Sequence, residues 1–199
     1  YKIKTPKAEG GARALSLDDF RKIETAEPDD ERERLALDLF CLSFYLRGAN
    51  MADLARLTKK NLVGGRIEWE RHKTGRGYSV AVSEKAAVIL ERYEGSNPPY
   101  LLPILKRGVP EKLVRRMIKT ANEKTNEVLR EVAARVGVDA SRLSFYSARH
   151  TYATALDEKG VSMGLIRDLL GHDDERTTRD YVKRKSQRVL DAADELLSI

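Results

Sequence analysis

Hydrophobic and polar positions follow two patterns along this chain, a helical one over most of its length and an alternating one over a short central stretch. Behind a Ser16 cap and again behind Pro28, apolar side chains recur every three or four residues, which predicts amphipathic helices. The same spacing predicts further helices over residues 51–57, 84–93, 111–136, 145–158, 163–170 and 187–197, with a helical turn around 177–182.

After the glycine pair at 64–65 the period changes to two. Ile67 and Trp69 alternate with glutamates, and an alternating stretch also runs from Tyr78 to Val82. The glycine-containing segment Thr74-Gly75-Arg76-Gly77 between them favours a turn, so the two stretches predict a β-hairpin. The expected fold class is therefore mainly α with a small antiparallel β-hairpin or sheet.

Composition narrows the class of protein. The chain has 199 residues, enough for one domain with its own core, and a single cysteine, Cys41, which excludes a disulfide framework. Its apolar stretches are only a few residues long, so we expect no membrane span and no signal peptide. Residues 1–14 are basic and lack an apolar period, which predicts a linker followed by one domain over 15–199. The formal net charge of +6 allows a polyanionic partner without requiring one.

Chemically useful side chains cluster in the last third of the chain. Tyr146 and Arg149 are three residues apart and therefore share a face of the predicted helix. Gly171 follows a short apolar helix as a C-terminal stop, which places His172 in a loop, and Tyr181 follows nine residues later. An arginine, a histidine and a tyrosine carried by short, loop-linked helices suit a phosphate site with a nucleophile.

These residues resemble the C-terminal signature of the tyrosine recombinases, the phage and transposon integrases. That signature is an Arg-His-Thr box, here at Arg149, a Leu-Gly-His box, here ending at His172, and a tyrosine nine residues later, here Tyr181. Lys73-Thr74-Gly75 is similar to the catalytic lysine segment on the family's hairpin. The resemblance extends over residues 43–182 and is greatest to the integrases of Bacteroides-type mobile elements.

The resemblance implies the tyrosine recombinase, or DNA breaking-rejoining, catalytic fold and site-specific recombination or integration of DNA. Tyr181 would attack a phosphodiester and form a 3′-phosphotyrosine, which stays reactive because a phenol is a good leaving group. Arg149 would bind a non-bridging oxygen, His172 would donate a hydrogen bond to the phosphate, and Lys73 would protonate the departing 5′-oxygen. Neither a metal ion, nor ATP, nor any other cofactor is expected.

Two positions depart from the family pattern. Where the family usually has a histidine three residues before the second arginine, this chain has Tyr146, whose phenol can still donate one hydrogen bond. The family's first arginine stands three residues before an acidic residue, and Asp53 identifies that place as Asn50.

A replacement for the missing first arginine is expected, because loss of one such donor typically slows catalysis by roughly 10²–10³-fold. We predict Arg47, which lies one helical turn earlier and faces the same way if the helix continues through Gly48. Arg71 and Arg76, the neighbours of Lys73, are the alternatives.

The expected partner is double-stranded DNA, bound by a homo-multimer of up to four copies on paired sites in a prokaryotic cytoplasm. An N-terminal DNA-clamping domain would then be absent from this chain. The predicted DNA-binding side chains are Arg71, Arg76, Lys112, Arg115, Arg116 and Lys119. The last four share a face of the predicted 111–136 helix, which could equally be an ordinary solvated face.

Two other functions fit parts of the pattern. A type IB topoisomerase shares the chemistry, but the compact Leu-Gly-His box and the segment after Tyr181 favour a recombinase. Asn50 and Tyr146 are consistent with a DNA-binding relative weakened in catalysis or without it. The joint presence of Lys73, Arg149 and the other two signature residues argues against that alternative.

Overall fold

The computed structural model describes residues 14–72, 75–141, 143–171 and 194–197. Seven named α-helices and three strands lie within these residues. The helices are α1 Leu17–Glu24, α2 Glu31–Tyr45, α3 Met51–Leu54, α4 Glu84–Arg92, α5 Glu111–Arg135, α6 Ser147–Glu158 and α7 Met163–Leu170. A 3-10 turn, Lys59–Asn61, precedes the strands β1 Leu62–Val63, β2 Arg66–Glu70 and β3 Gly77–Ala81. The predicted fold class is confirmed.

Side-chain caps define the helix starts that the sequence predicts. The Ser16 hydroxyl accepts the Asp19 N–H at 3.0 Å at the start of α1, and the Asp30 carboxylate accepts the Glu33 N–H at 2.8 Å at the start of α2. Helix α6 begins at Ser147, two residues later than predicted, and the Phe145 N–H before it is bound to the Asn126 side chain at 2.6 Å.

Helix α2 lies at the centre of the core and packs against α4, α5 and α6. It buries residues around most of its circumference, including Leu39, Phe40, Leu42 and Phe44. Phe20 of α1 stacks on Phe44 with 4.2 Å between ring centroids. Because the core holds α2 on several sides, the point at which this helix ends determines where the following residues lie.

The sheet is antiparallel in the order β1-β2-β3. Ile67 and Trp69, which pair with Val80 and Tyr78, are buried and alternate with exposed glutamates, as the alternating pattern predicts. The sequence predicted only the hairpin of β2 and β3. The two residues of β1 are too few to show a period, and the positive φ angles of Gly64-Gly65 return the chain so that β1 pairs with β2.

None of the described helices combines the length and the apolar character that crossing a membrane requires. The predicted turn around residues 177–182 lies outside the described residues, and only 194–197 of the predicted terminal helix are described. Within that short segment the Leu197 side chain is buried against the body of the protein.

Candidate active site

Arg149 lies in the first turn of α6 and is only 4% exposed. Its Nη1 donates to the Gly48 carbonyl at 3.1 Å, and its Nη2 donates to the Leu170 carbonyl. Its Nε–H is buried and has no acceptor among the described residues, and no carboxylate in that part of the chain pairs with it. A buried guanidinium with a free N–H and no counter-ion is suited to an anionic ligand.

The electrostatic surroundings of Arg149 agree with this assignment. Burial lowers the pKa of the guanidinium from its ordinary value, and the positive charge of Arg71 lowers it further. Both effects disfavour the charged form in the protein without ligand. A phosphate bound by both guanidiniums would oppose these two effects on the pKa, because it supplies a negative charge.

Arg71 follows β2 and brings a second guanidinium to the same place. Its Nη1 lies 3.4 Å from the Leu170 carbonyl oxygen and 3.3 Å from that of Gly171. Its Nε lies 4.0 Å from the Asp53 carboxylate. Two arginines from distant parts of the chain, Arg71 and Arg149, therefore meet at one carbonyl at the end of α7.

Gly48 provides the space that Arg149 occupies. A Cβ atom at this position would lie 2.5 Å from the Arg149 Cγ and 2.8 Å from its Cα. The backbone of Gly48 also has a φ of 72°, which glycine adopts more readily than other residues. Both observations explain a glycine directly before the segment that leads to α3.

Asn50, at the place of the family's first arginine, has a structural role. Its Oδ1 accepts the Asp53 N–H at 2.9 Å and caps α3, and its Nδ2 donates to the Asp53 carboxylate at 2.7 Å. Asp53 also accepts the His72 N–H at 3.1 Å, which ties α3 to the loop leading into Lys73. Burial raises the pKa of Asp53, and the His72 N–H partly opposes that shift.

Arg47 does not lie on a continuation of α2, so the condition under which it would face the same way as Asn50 is not met. The helix ends at Tyr45, and Arg47 adopts a left-handed conformation with a φ of 55°. Its side chain is 3% exposed and donates to the Asp194 carboxylate from Nη2 at 2.6 Å and from Nε at 2.8 Å. The Tyr152 hydroxyl donates to the same carboxylate. Arg47 thus binds the described end of the C-terminal segment.

Three predicted catalytic residues, Lys73, His172 and Tyr181, lie outside the described residues. The residue before His172 is described. Gly171 ends α7 in the left-handed conformation with a φ of 63°, which confirms the predicted helix stop.

Tyr146 directly precedes α6 and is 41% exposed. Its ring and that of His150 pack nearly perpendicular to each other, with 4.9 Å between the centroids. It lines an open groove of about 690 Å³ between α3, α5 and the start of α6. The polar side chains that line this groove with it are Asn50, Arg56, His72, Arg115, Lys119 and Asn122.

The basic side chains that the sequence places on one face of α5 divide between two surfaces. Arg115 and Lys119 line the groove beside Tyr146, and Lys119 also pairs with Glu123 at 3.7 Å. Arg116 lines a separate, largely apolar cavity of about 640 Å³ between α2 and α5. Lys112 is exposed near the start of the helix.

The two arginines predicted to bind DNA from the hairpin are bound to α7 in this structure. Arg76 Nη2 donates to the Asp168 carbonyl at 2.7 Å, and Arg71 reaches the carbonyls described above. Sequence reasoning missed Tyr78, whose hydroxyl donates to the Leu170 carbonyl at 2.8 Å. The alternating pattern of the hairpin could have predicted its position opposite Trp69. Its contact with α7 could not be predicted in this way, because it joins residues that are 92 apart in the sequence.

Comparison with known proteins decides the family. The sequence profile of the phage integrase family matches residues 15–188. The chain belongs to the phage integrase family. One similar relative is the tyrosine recombinase XerA of Pyrococcus horikoshii. Its sequence is 25% identical to this chain over 202 residues, which cover 96% of this chain and 64% of XerA. The chain thus spans less than two thirds of the length of this relative.

Solved structures of integrases share the fold. An integrase from mycobacterium phage Brujita matches with a TM-score of 0.68 at 18% identity, covering 100% of this chain and 61% of the phage protein. A lambda integrase, solved as a tetramer bound to a Holliday junction, matches with a TM-score of 0.50 at 19% identity, covering 82% of this chain and 48% of that protein.

Proposed function

We propose that this chain cuts and rejoins DNA strands at specific sites through a covalent phosphotyrosine on Tyr181. The observation that carries the proposal is the buried Arg149, whose Nε–H has no acceptor among the described residues. Arg149 binds the carbonyl of Leu170, two residues before His172 in the Leu-Gly-His box. Membership of the phage integrase family and the likeness to a tyrosine recombinase support the same chemistry.

Arg149 and Arg71 are the two guanidiniums that we assign to the scissile phosphate. Both reach the Leu170 carbonyl, so one phosphate there can receive N–H groups from each of them. Arg47 is less suitable, because its guanidinium is bound to the Asp194 carboxylate. In this assignment Arg71 performs the task of the family's first arginine, which the sequence analysis gave to Arg47.

The reaction needs no external energy source, because each broken ester bond is replaced by another. The Tyr181 hydroxyl releases its proton to solvent, from which Lys73 is later reprotonated. The Tyr181 oxygen attacks phosphorus, so that the new phosphorus–tyrosine bond forms as the bond to the 5′-oxygen breaks. Lys73 gives a proton to that oxygen, which leaves as a 5′-hydroxyl, and His172 donates a hydrogen bond to the phosphate. Rejoining is the reverse attack by a 5′-hydroxyl on the phosphotyrosine.

The groove beside Tyr146 is the surface that we assign to the DNA backbone next to the scissile phosphate. Arg115 and Lys119 line it, and they share one face of α5 because they lie four positions apart in the helix. Contacts of this kind position DNA without reading its sequence and weaken as salt rises. Lys112, exposed near the start of the helix, extends this basic surface, whereas Arg116 lines the separate cavity between α2 and α5. We assign to Tyr146 the donation of a hydrogen bond to a phosphate oxygen.

The proposed assembly is a homo-multimer of up to four copies on paired double-stranded DNA sites, acting in a prokaryotic cytoplasm. The structurally similar lambda integrase was solved as a tetramer on a Holliday junction, and the similar XerA comes from an archaeon. Strand exchange between two duplexes needs four cleavages, which four identical active sites supply.

A covalent adduct is the decisive measurement. The chain is incubated at low salt with a pool of nicked suicide duplexes, in which a released fragment prevents religation, and is then run on a denaturing gel. We expect a protein–DNA band that survives detergent with the wild-type chain and disappears with Tyr181→Phe. Tyr100→Phe, a change at a partly buried tyrosine outside the proposed site, should retain the band.

Other outcomes of this experiment would contradict the proposal. DNA retention on a native gel without an adduct would indicate a DNA-binding relative that has lost catalysis. An adduct accompanied by relaxation of supercoiled plasmid by single molecules would indicate a topoisomerase instead of a recombinase.

A further inference from the structure

Three side chains on the two sides of Lys73 bind the last turn of α7. Arg71 Nη1 lies 3.4 Å from the Leu170 carbonyl oxygen, before the lysine in the chain. After the lysine, Arg76 donates to the Asp168 carbonyl at 2.7 Å and the Tyr78 hydroxyl donates to the Leu170 carbonyl at 2.8 Å. We call these three contacts the hairpin–α7 contact. It links the segment carrying Lys73 to the helix turn that precedes His172.

Tyr78 is the most rigidly held of the three donors. Its ring stacks on Trp69 of the neighbouring strand with 4.8 Å between centroids and 10° between planes. Trp69 is itself buried in the core. A phenol has few rotatable bonds, whereas an arginine side chain loses much more rotamer freedom when it is held in place. Holding the hydroxyl of Tyr78 in one position therefore costs little side-chain conformational entropy.

Gly171 shows how closely this hydroxyl approaches the backbone. A Cβ atom on Gly171 would lie 1.9 Å from the Tyr78 hydroxyl oxygen and 2.8 Å from Cζ. The hydroxyl thus occupies the space into which any other residue at 171 would place its side chain. The left-handed φ of 63° at Gly171 directs the chain onward to His172.

The Leu170 carbonyl joins Tyr78 to the phosphate-binding arginine. It accepts from the Tyr78 hydroxyl and from Arg149 Nη2. A shift of this carbonyl would therefore move the guanidinium of Arg149 and the backbone leading to His172 together. Small displacements of catalytic groups are costly, because a misplacement of about 1 Å can slow a reaction by about 10²-fold.

We propose that Tyr78 is a positioning residue for strand cleavage, acting through the Leu170 carbonyl on Arg149 and on the backbone before His172. The inference rests on the proposed function. Tyr78 does not touch the reacting phosphate in this assignment. Its hydroxyl holds strand β3 of the hairpin against the last turn of α7.

Tyr78→Phe tests this role, because it keeps the ring stacked on Trp69 and removes only the hydroxyl. We expect single-turnover cleavage of the suicide duplex at saturating DNA to slow by roughly 10- to 100-fold. The Kd for DNA and the Tm should change little. Amide hydrogen exchange of a peptide covering residues 163–171 should become faster without DNA, because the last turn of α7 loses a fixed partner.

Tyr93→Phe is the matched control. Tyr93 also donates a buried hydroxyl hydrogen bond, to Asp38 at 2.7 Å, but it joins α4 to α2 away from α7. This variant should lower the Tm and leave both the cleavage rate and the exchange of 163–171 unchanged.

The possible failures are distinguishable. Wild-type cleavage rates in Tyr78→Phe, or a loss explained by weaker DNA binding or by a lower Tm alone, would overturn the inference and leave the proposed function standing. A wild-type chain that forms no adduct would overturn the proposed function and this inference with it.

Discussion

Arg47 and Arg149 are both buried arginines next to Gly48, and their surroundings are opposite. Arg47 is 3% exposed and binds a carboxylate, Asp194, through two nitrogens. Arg149 is 4% exposed and donates to the carbonyl oxygens of Gly48 and Leu170, with no carboxylate partner among the described residues and its Nε–H left without an acceptor. Burial alone thus does not distinguish a structural arginine from a functional one.

The difference lies in what would complete each site. The charge of Arg47 is balanced within the chain, so the pair serves to hold the C-terminal segment on the body. The charge of Arg149 has no balancing group in the described part of the chain, and a second guanidinium, Arg71, stands beside it. Such an arrangement is unfavourable alone and becomes favourable when an anion enters, which is the behaviour expected of a phosphate site.

The largest expected effect is on the cleavage rate, which should fall much more when Arg149 is replaced than when Arg47 is replaced. Arg149→Gln should slow adduct formation by roughly 10²–10³-fold, because one donor to the developing phosphate charge is lost. Arg71→Gln should cause a loss of similar size. Arg47→Gln should slow it less than about tenfold, because that guanidinium does not contact the phosphate in our assignment. Single-turnover cleavage of the suicide duplex measures all three.

The free energy of unfolding should show the opposite order, with the larger loss in Arg47→Gln and the smaller loss in Arg149→Gln. Arg47→Gln leaves Asp194 without its charged partner, although the Tyr152 hydroxyl still donates to it. Since that carboxylate is 23% exposed, we expect a loss of about 1–3 kcal/mol in the free energy of unfolding. Arg149→Gln removes an uncompensated charge and should lower it less. If Arg47→Gln remains folded and loses as much rate as Arg149→Gln, Arg47 is the first guanidinium and our assignment of Arg71 is wrong.

Gly48→Ala tests the space between the two arginines. Its Cβ would lie within 2.5–2.8 Å of Arg149 atoms, so we expect the cost of overpacking, about 1–3 kcal/mol, added to a left-handed strain of about 1–2 kcal/mol. Gly64→Ala is the control, because it also has a positive φ but nothing within 4 Å. Denaturant unfolding should show the larger loss at Gly48, accompanied by slower cleavage, and equal losses would contradict a close contact with Arg149.

Local signals in the sequence predicted most of the elements around this site. Caps such as Ser16 and Asp30 define helix starts through contacts three residues away, and the buried alternation of Ile67 and Trp69 comes from the pleat of one strand. The stop at Gly171 is equally local. These features depend on neighbours in the chain, so a single sequence contains them.

Features that depend on distant contacts were not predictable in the same way. The family spacing pointed to Asn50, and Arg47 was chosen because it lies one helical turn earlier. The direction of its side chain depends on the left-handed turn after α2 and on Asp194, 147 residues away. Arg71 approaches Arg149 only because the hairpin meets the end of α7, 99 residues further along. Sequence periodicity contains no information on such long-range contacts. The described geometry was therefore needed to choose between Arg47 and its alternatives.

Another arginine, which is paired with a carboxylate far along the chain, gives the smallest expected effect. Arg135 at the end of α5 donates to the buried Glu33 carboxylate at 2.7 Å, and this hydrogen bond holds the pKa of Glu33 below its ordinary value near 4.5. The folded protein therefore binds this proton less readily than the unfolded chain. The stabilisation is present above about pH 4.5 and is lost as the pH falls through the lower folded pKa.

Glu33→Gln should accordingly lower the free energy of unfolding at pH 7 by about 1 kcal/mol, a small value because Arg135 is partly exposed. The difference from wild type should shrink as the pH falls below 4.5, which denaturant unfolding at several pH values measures. Glu131→Gln, whose pair with Arg32 is exposed on both sides, should show neither effect. Cleavage at pH 7 should remain at the wild-type rate in both variants, because a balanced ion pair far from Leu170 supplies nothing to the phosphate. A pH-independent loss in Glu33→Gln would instead show that its stabilisation comes from packing and not from the charge of Arg135.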